Sequence, residues 1–235
     1  MSETDKIFIE FEKNLKVFQD EVLTAETSYY AWKTIHNTIA ESNKLLNKIN
    51  RTPLFWQRVL HSLQVNFLIT LSRIFDTHKD DPFTVSYLIK YCVNNKNIFS
   101  KDQLEKRKSK ALHPELLEKY MRCIPTEPVT SEDFTVLTKQ IDTCKEMFNK
   151  NYTKIRNKLL AHKDKKYIDK EDALFSKTSI GELENMLDFL NRISTAIWEL
   201  YANGRNLDVN KVESSDYFKK MAIQDTKDIL NKVLS

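Results

Sequence analysis

Apolar residues along this chain recur at steps of three and four for almost its whole length, the period of α-helices that each bury one side. Phe8, Phe11, Leu15, Phe18 and Val22 form one such stripe, and Trp32, Ile35, Ile39, Leu46 and Ile49 a second. Each predicts an amphipathic helix. Pro53 suits the first turn of another helix. The span that follows, 54–75, is apolar on nearly every side (Leu54, Trp56, Val59, Leu63, Phe67, Leu68, Leu71, Ile74, Phe75). A helix without a polar face belongs in the middle of a bundle. Asp81 and Pro82 read as an N-cap and first turn that open a short helix through Leu88 and Tyr91, with further starts at Ser100 and at His113–Pro114. Two prolines make 122–130 a loop. The clearest long helix spans 131–162, along Phe134, Leu137, Ile141, Cys144, Phe148, Tyr152, Ile155 and Leu159. Ser179 with Glu182 forms a capping box for the next, whose stripe of Leu183, Met186, Leu190, Ile193, Ile197 and Leu200 stops at Asn203–Gly204. A polar connector over 205–215 leads to a last helix at about 216–233.

Composition sharpens this picture. Only 2 glycines and 5 prolines in 235 residues leave little room for tight hairpins, so the chain is read as all-α. Hydrophobic residues at 41% and charged ones at 30% fit a folded chain and argue against disorder. We divide it into an N-terminal helix (1–24), a helical bundle (25–204), and a connector with a C-terminal helix (205–235). The net charge of +4 confines any nucleic-acid contact to a local patch. Cys92, Cys123 and Cys144 are few, odd in number and far apart, which predicts neither a disulfide framework nor structural zinc. No secretory signal is visible, and the apolar-rich stretch 59–71 is too short to span a bilayer. The expectation is a reduced cytoplasmic protein without membrane contact. Signatures of zinc hydrolases, P-loop enzymes, dinucleotide-binding folds and serine hydrolases do not occur.

Residues 155–164 read IRNKLLAHKD. On a regular helix His162 falls almost beneath Ile155, on the core-facing stripe, while Arg156 lies about a quarter turn away beside Leu160 and Lys163. The apolar surface therefore broadens at the end of this helix, and two buried faces imply packing against a second body, such as another subunit. A buried arginine must be paired or must bind an anion. Asn157 adds an amide, and Lys163, Lys165 and Lys166 follow. Guanidinium, amide and imidazole in one cleft form a set that binds phosphate and transfers protons.

RNKLLAH fits the HEPN superfamily's signature of an arginine, a polar residue, four to six further positions and a histidine. Arg156, Asn157 and His162 stand at those places. The whole phrase, after a long helix, resembles the abortive-infection branch of that superfamily. LSRIFDTHKDDPFTVSYLIK at 71–90 resembles an earlier helix of that branch, and the likeness extends over about 25–200. It implies a HEPN-like helical bundle that forms a homodimer, with two motif helices meeting at a composite cleft. Many such proteins are metal-independent endoribonucleases of toxin–antitoxin, abortive-infection or CRISPR systems. Others have lost catalysis and bind a protein or nucleic-acid partner, and this is the alternative for the present chain.

RNA brings its own nucleophile, the 2′-OH. A metal-free nuclease then needs a base, an acid and a cation that stabilises the phosphorane. His162 suits the proton-transfer roles and Arg156 the charge. The expected catalytic residues are therefore Arg156, His162 and Asn157, with Lys163, Lys165 and Lys166 on RNA phosphates. No metal or other cofactor is expected, and an antitoxin or defence-system protein is a candidate partner. Arg73 and Asp76, at the end of the most apolar helix, are expected either to form an ion pair or to support the motif residues. Asp76, His78, Asp80 and Asp81 form an acid–imidazole cluster that we read as helix ends and caps in preference to a metal site. His36, His61 and His113 have no convincing partner. The basic run Lys101, Lys106, Arg107, Lys108 and Lys110 reads as an ordinary solvated face, which would supply further phosphate contacts if RNA binds.

Overall fold

In a computed structural model, residues 3–76, 81–125, 129–155 and 178–234 are described. They form α-helices, one 3-10 turn and connecting segments, with no strand among the described residues. The helices are α1 (Glu3–Glu41), α2 (Asn43–Ile49), α3 (Pro53–Ile74), α4 (Val85–Asn94), α5 (Lys101–Lys108), α6 (Pro114–Arg122), α7 (Ser131–Asn151), α8 (Ile180–Asn203) and α9 (Tyr217–Leu234). The all-α expectation is met.

Local chemistry explains most helix ends. Pro53 and Pro114 occupy first turns, where a missing N–H costs nothing. The Ser100 and Ser179 hydroxyls accept from the backbone N–H three residues on, at 3.4 Å each. Gly204 ends α8 with φ of 64°, and its N–H donates to the Leu200 carbonyl at 3.0 Å. A Cβ there would lie 2.5 Å from Leu104 Cδ2 and 3.1 Å from Ile124 Cγ2. Both the left-handed backbone and the close packing therefore require glycine.

Several expectations need correction. The first two apolar stripes do not make two helices. No glycine or proline punctuates 8–41, so α1 runs unbroken to Glu41. The break comes inside the second stripe, where the Ser42 hydroxyl accepts from Leu45 N at 3.2 Å and starts α2. The cap of α4 is Thr84, whose hydroxyl accepts from Tyr87 N at 3.0 Å. Asp81 instead accepts from Phe83 N at 3.0 Å and shapes the turn before it. α3 is buried mainly in its second half, with Trp56 the one buried residue of its first. Leu54 and Phe55 are 76% and 61% exposed, whereas Phe67, Leu68, Leu71 and Ile74 are buried. α7 ends at Asn151, a turn at Tyr152 leads to a helical turn at Thr153–Ile155, and the rest of the expected helix lies outside the described residues.

The chain divides into two compact units. The first comprises Met1–Gln19, Phe75–Met147 and Glu184–Ser214. Its core is aromatic: Phe11 meets Phe99 edge-on at 5.4 Å and lies 4.6 Å from Tyr201, and Phe134 sits 6.1 Å from Phe99. Leu187, Leu190, Ile193, Ile197 and Leu200 of α8 are fully buried here. Cys92 and Cys144 are buried and Cys123 is exposed, all three free. Burial raises the pKa of the Cys92 thiol and pushes that of Cys144 up to about 12.

The second unit comprises Asp20–Ile74, Phe148–Leu183 and Ser215–Ser235. Tyr29 meets Phe67 edge-on at 5.4 Å. A separate cluster joins Ile35, Leu45, Ile49, Trp56 and Leu230, packing α9 on α2. Lys48 Nζ donates to the Leu234 carbonyl at 2.7 Å, so a cation meets the C-terminal end of α9. Among the described residues no helix is long and apolar enough to cross a membrane.

Candidate functional site

Arg156, Asn157, His162, Lys163, Lys165 and Lys166 lie outside the described residues, as do His78 and Asp80. The described chain stops at Ile155 and resumes at Thr178. What the structure gives is the frame on which the motif's segment is mounted, and that frame belongs to the second unit.

Its centre is Tyr152, fully buried and stacked on Phe148 at 5.5 Å with ring planes 13° apart. The Tyr152 hydroxyl lies 3.1 Å from the Ser179 carbonyl and 3.2 Å from Glu182 Oε2, two acceptors for its single proton. It also accepts from the Ser179 N–H at 3.2 Å. Asn151 Nδ2 donates to the same Glu182 oxygen at 3.1 Å. The Tyr29 hydroxyl reaches the Ile180 carbonyl at 3.3 Å. The residues just before position 156 are thus tied to those just after 177. In the expected capping box the glutamate would reach back to the cap's own N–H. Here a tyrosine oxygen takes that N–H, and the described bonds of the Glu182 carboxylate go to Tyr152 and Asn151.

Burial pushes the Tyr152 hydroxyl up to about 12, with the Glu182 charge adding to the effect and the Ser179 bond opposing it. At neutral pH it is a neutral donor that fastens the chain. A cavity of about 270 Å³ lies beside it, lined by Trp32, Gln64, Phe67, Leu68, Tyr152, Ile155, Thr178, Ile180 and Leu183. Asn151, Tyr152 and Ser179 were missed as a functional group. The available signal was a tyrosine in an otherwise apolar stripe, followed downstream by a Ser-x-x-Glu start.

Arg73 pairs with Glu21 of α1, Nη2 to Oε2 at 2.8 Å. The Asp76 carbonyl accepts from Lys145 Nζ at 2.9 Å. His36 lies against Trp32, ring centroids 4.6 Å apart, and burial lowers its pKa. His113 occupies the N-cap position of α6 without a side-chain capping bond. No group of three or more His, Cys, Asp or Glu side chains among the described residues is placed to hold a metal.

The basic run is not a uniform phosphate-binding face. Arg107 donates to the carbonyls of Ile98 at 2.8 Å and Tyr201 at 2.7 Å, with its guanidinium 4.2 Å from the Tyr201 ring centre. Lys101 donates to the Ile124 carbonyl at 2.8 Å and Lys108 to Asn203 Oδ1 at 3.2 Å. These three cations serve the first unit's own backbone and side chains. Lys106 and Lys110 remain exposed.

A family model described as AbiU2 (HEPN_AbiU2) matches residues 8–229, all but the first seven and last six of the 235. The all-α fold agrees with it. No curated protein and no solved structure matches the chain.

Proposed function

The chain belongs to the AbiU2 family of HEPN proteins, and on that premise we propose that it is a metal-independent endoribonuclease of a toxin or phage-defence system. The observation that carries the reading is that one family match encloses the arginine–histidine signature at Arg156 and His162. The active form is a homodimer with the motif segments of two copies sharing one cleft.

In that cleft one His162 removes the proton of a ribose 2′-OH. The 2′-oxygen attacks the adjacent phosphorus, and the bond from phosphorus to the 5′-oxygen breaks. The second His162 gives a proton to the leaving 5′-oxygen. The products are a 2′,3′-cyclic phosphate and a 5′-hydroxyl end. Arg156 neutralises the charge that grows on the non-bridging oxygens. Asn157 orients the phosphate, and Lys163, Lys165 and Lys166 hold neighbouring phosphates. The Tyr152 fastening supports the reading, because it fixes the chain four residues before Arg156 in sequence. The cytoplasm and an antitoxin or other defence partner complete the proposal.

The test is cleavage of single-stranded RNA by the purified protein in EDTA, with end-group analysis. Activity that persists, cyclic phosphate ends, and loss of cleavage in both Arg156→Ala and His162→Ala are expected. Cleavage by His162→Ala at the wild-type rate would refute the assignment. Absence of cleavage by the wild-type dimer would favour the non-catalytic binding module.

A further inference from the structure

Positive charge is unevenly spread along this chain, and one corner of the second unit carries a surplus. The cluster of Ile35, Leu45, Ile49, Trp56 and Leu230 joins the end of α1, α2, the start of α3 and the end of α9. Residues 33–62 and 226–234, which build that corner, hold seven basic and two acidic side chains, a larger excess than the +4 of the whole chain. From Ser42 to Phe75 there is no aspartate or glutamate. We propose that this corner is an exosite for single-stranded RNA, at which Arg51 and Arg58 hold phosphates and Phe55 stacks on a base. The choice of RNA as ligand rests on the endoribonuclease reading above.

Three observations support it. First, the fold leaves the charges unused. Arg73 and Lys48 are engaged, by Glu21 and by the Leu234 carbonyl. Lys44, Arg51 and Arg58 are exposed, and among the described residues their side chains have no hydrogen-bond or ion-pair partner. On the helix surface the neighbours of Arg58, three and four positions away, are Leu54, Phe55, His61 and Ser62, none of them acidic. Second, the ring is open. Phe55 is 61% exposed, and its one ring contact among the described residues is edge-on to Trp56 at 5.5 Å. Third, the groups beside one another here are flat: the ring of Phe55, the guanidinium of Arg58 and the imidazole of His61. Guanidinium binds phosphate through two parallel bonds, and single strands are held where positive charge adjoins planes on which bases stack. A membrane fits worse. An interfacial helix needs an apolar stripe along its length, and beyond Leu54 and Phe55 the exposed side of α3 continues with Gln57, Arg58, His61 and Ser62. An acidic peptide would need the same cations but no flat ring, so Phe55 tells the two apart.

Fluorescence anisotropy with a labelled, 2′-O-methylated oligouridylate, which lacks the nucleophile, tests this on the full-length protein. Arg51→Gln/Arg58→Gln is compared with Lys6→Gln/Lys139→Gln, which removes the same charge from exposed positions of the first unit. The arginine variant is expected to bind about tenfold more weakly, and its log–log salt slope between about 50 and 200 mM to flatten by about 1.4, or about 0.7 for each lost phosphate contact. The lysine variant is expected to change affinity less than about twofold. Phe55→Leu, which keeps an apolar side chain but no flat ring, is expected to bind about fivefold more weakly with the salt slope unchanged. Equal losses in the two charge variants, wild-type affinity in Phe55→Leu, or no binding by the wild type would overturn the proposal. So would displacement of the oligonucleotide by poly-glutamate at equal charge, or by phosphatidylserine vesicles. Unmodified RNA, assayed in parallel, separates the two readings. Cleavage together with unaffected binding by the arginine variant sinks the exosite alone, whereas binding without cleavage sinks the nuclease alone. Melting curves of all three variants should match the wild type.

Discussion

The two ends of α8 are closed by opposite chemistry. At its start the orphan N–H groups and positive dipole end meet a serine hydroxyl, a tyrosine oxygen and the Glu182 carboxylate. At its finish the orphan carbonyls and negative end meet Arg107 and the Tyr120 hydroxyl, which reaches the Asn203 carbonyl at 2.9 Å, while Lys108 donates to the Asn203 side-chain oxygen. Each end also has a buried tyrosine: Tyr152 at one, and Tyr201 at the other, where its hydroxyl donates to Glu12 at 2.7 Å. The difference is in what each closure holds. The C-terminal knot draws on α1, α5, α6 and α8 and knits one unit's core. The N-terminal knot is smaller and fastens the flanks of the segment that carries Arg156 and His162. Damage to the first should cost stability. Damage to the second should cost activity first.

The largest effect is expected from Arg107→Met. It removes two charge-assisted bonds and a cation–π contact and leaves two carbonyls without their partner, for a loss of about 4 kcal/mol in denaturant unfolding. Arg107→Lys should recover only part, since an ammonium lacks the planar fork that spans both carbonyls. Gly204→Ala comes next at about 3 kcal/mol, from the left-handed backbone and the Leu104 and Ile124 clash together. Tyr152→Phe keeps the ring on Phe148 and should cost about 1–2 kcal/mol. With the proposed nuclease it should lower kcat by a larger factor than it raises KM. A fall in activity no greater than that of Arg107→Met at matched stability would erase the contrast. The smallest effect is alkaline. The folded-state pKa values of Tyr91, Tyr120, Tyr152 and Tyr201 are raised by burial. The unfolded chain releases those protons first, so stability present below about pH 10 should decline as pH rises through the folded values. Tyr152→Phe should blunt that decline in thermal melts.

Helix starts at Pro53, Ser100, Pro114 and Ser179 and the stop at Gly204 were legible because each is set by one residue's own backbone chemistry. The continuity of α1 was not, because separate apolar stripes look the same whether or not a helix joins them. The half-exposed α3 was not, because hydrophobicity records what a residue tolerates and not which neighbours arrive. Leu54 and Phe55 show the difference. At the site, the arginine–histidine signature was legible as a local motif and the Tyr152–Ser179–Glu182 fastening was not, since it joins residues 27 and 30 positions apart. The engagement of Arg107 was illegible for the same reason. Charge shows in sequence, but whether Arg107 faces solvent or two carbonyls is decided by tertiary packing.

The contrast among the three thiols has a practical use. Cys92 and Cys144 are held protonated and out of reach, so Cys123, at the C-cap of α6, is the accessible handle on the native chain. A maleimide dye at neutral pH should attach there at a single position. It would give a fluorescent reporter in the first unit without any mutation.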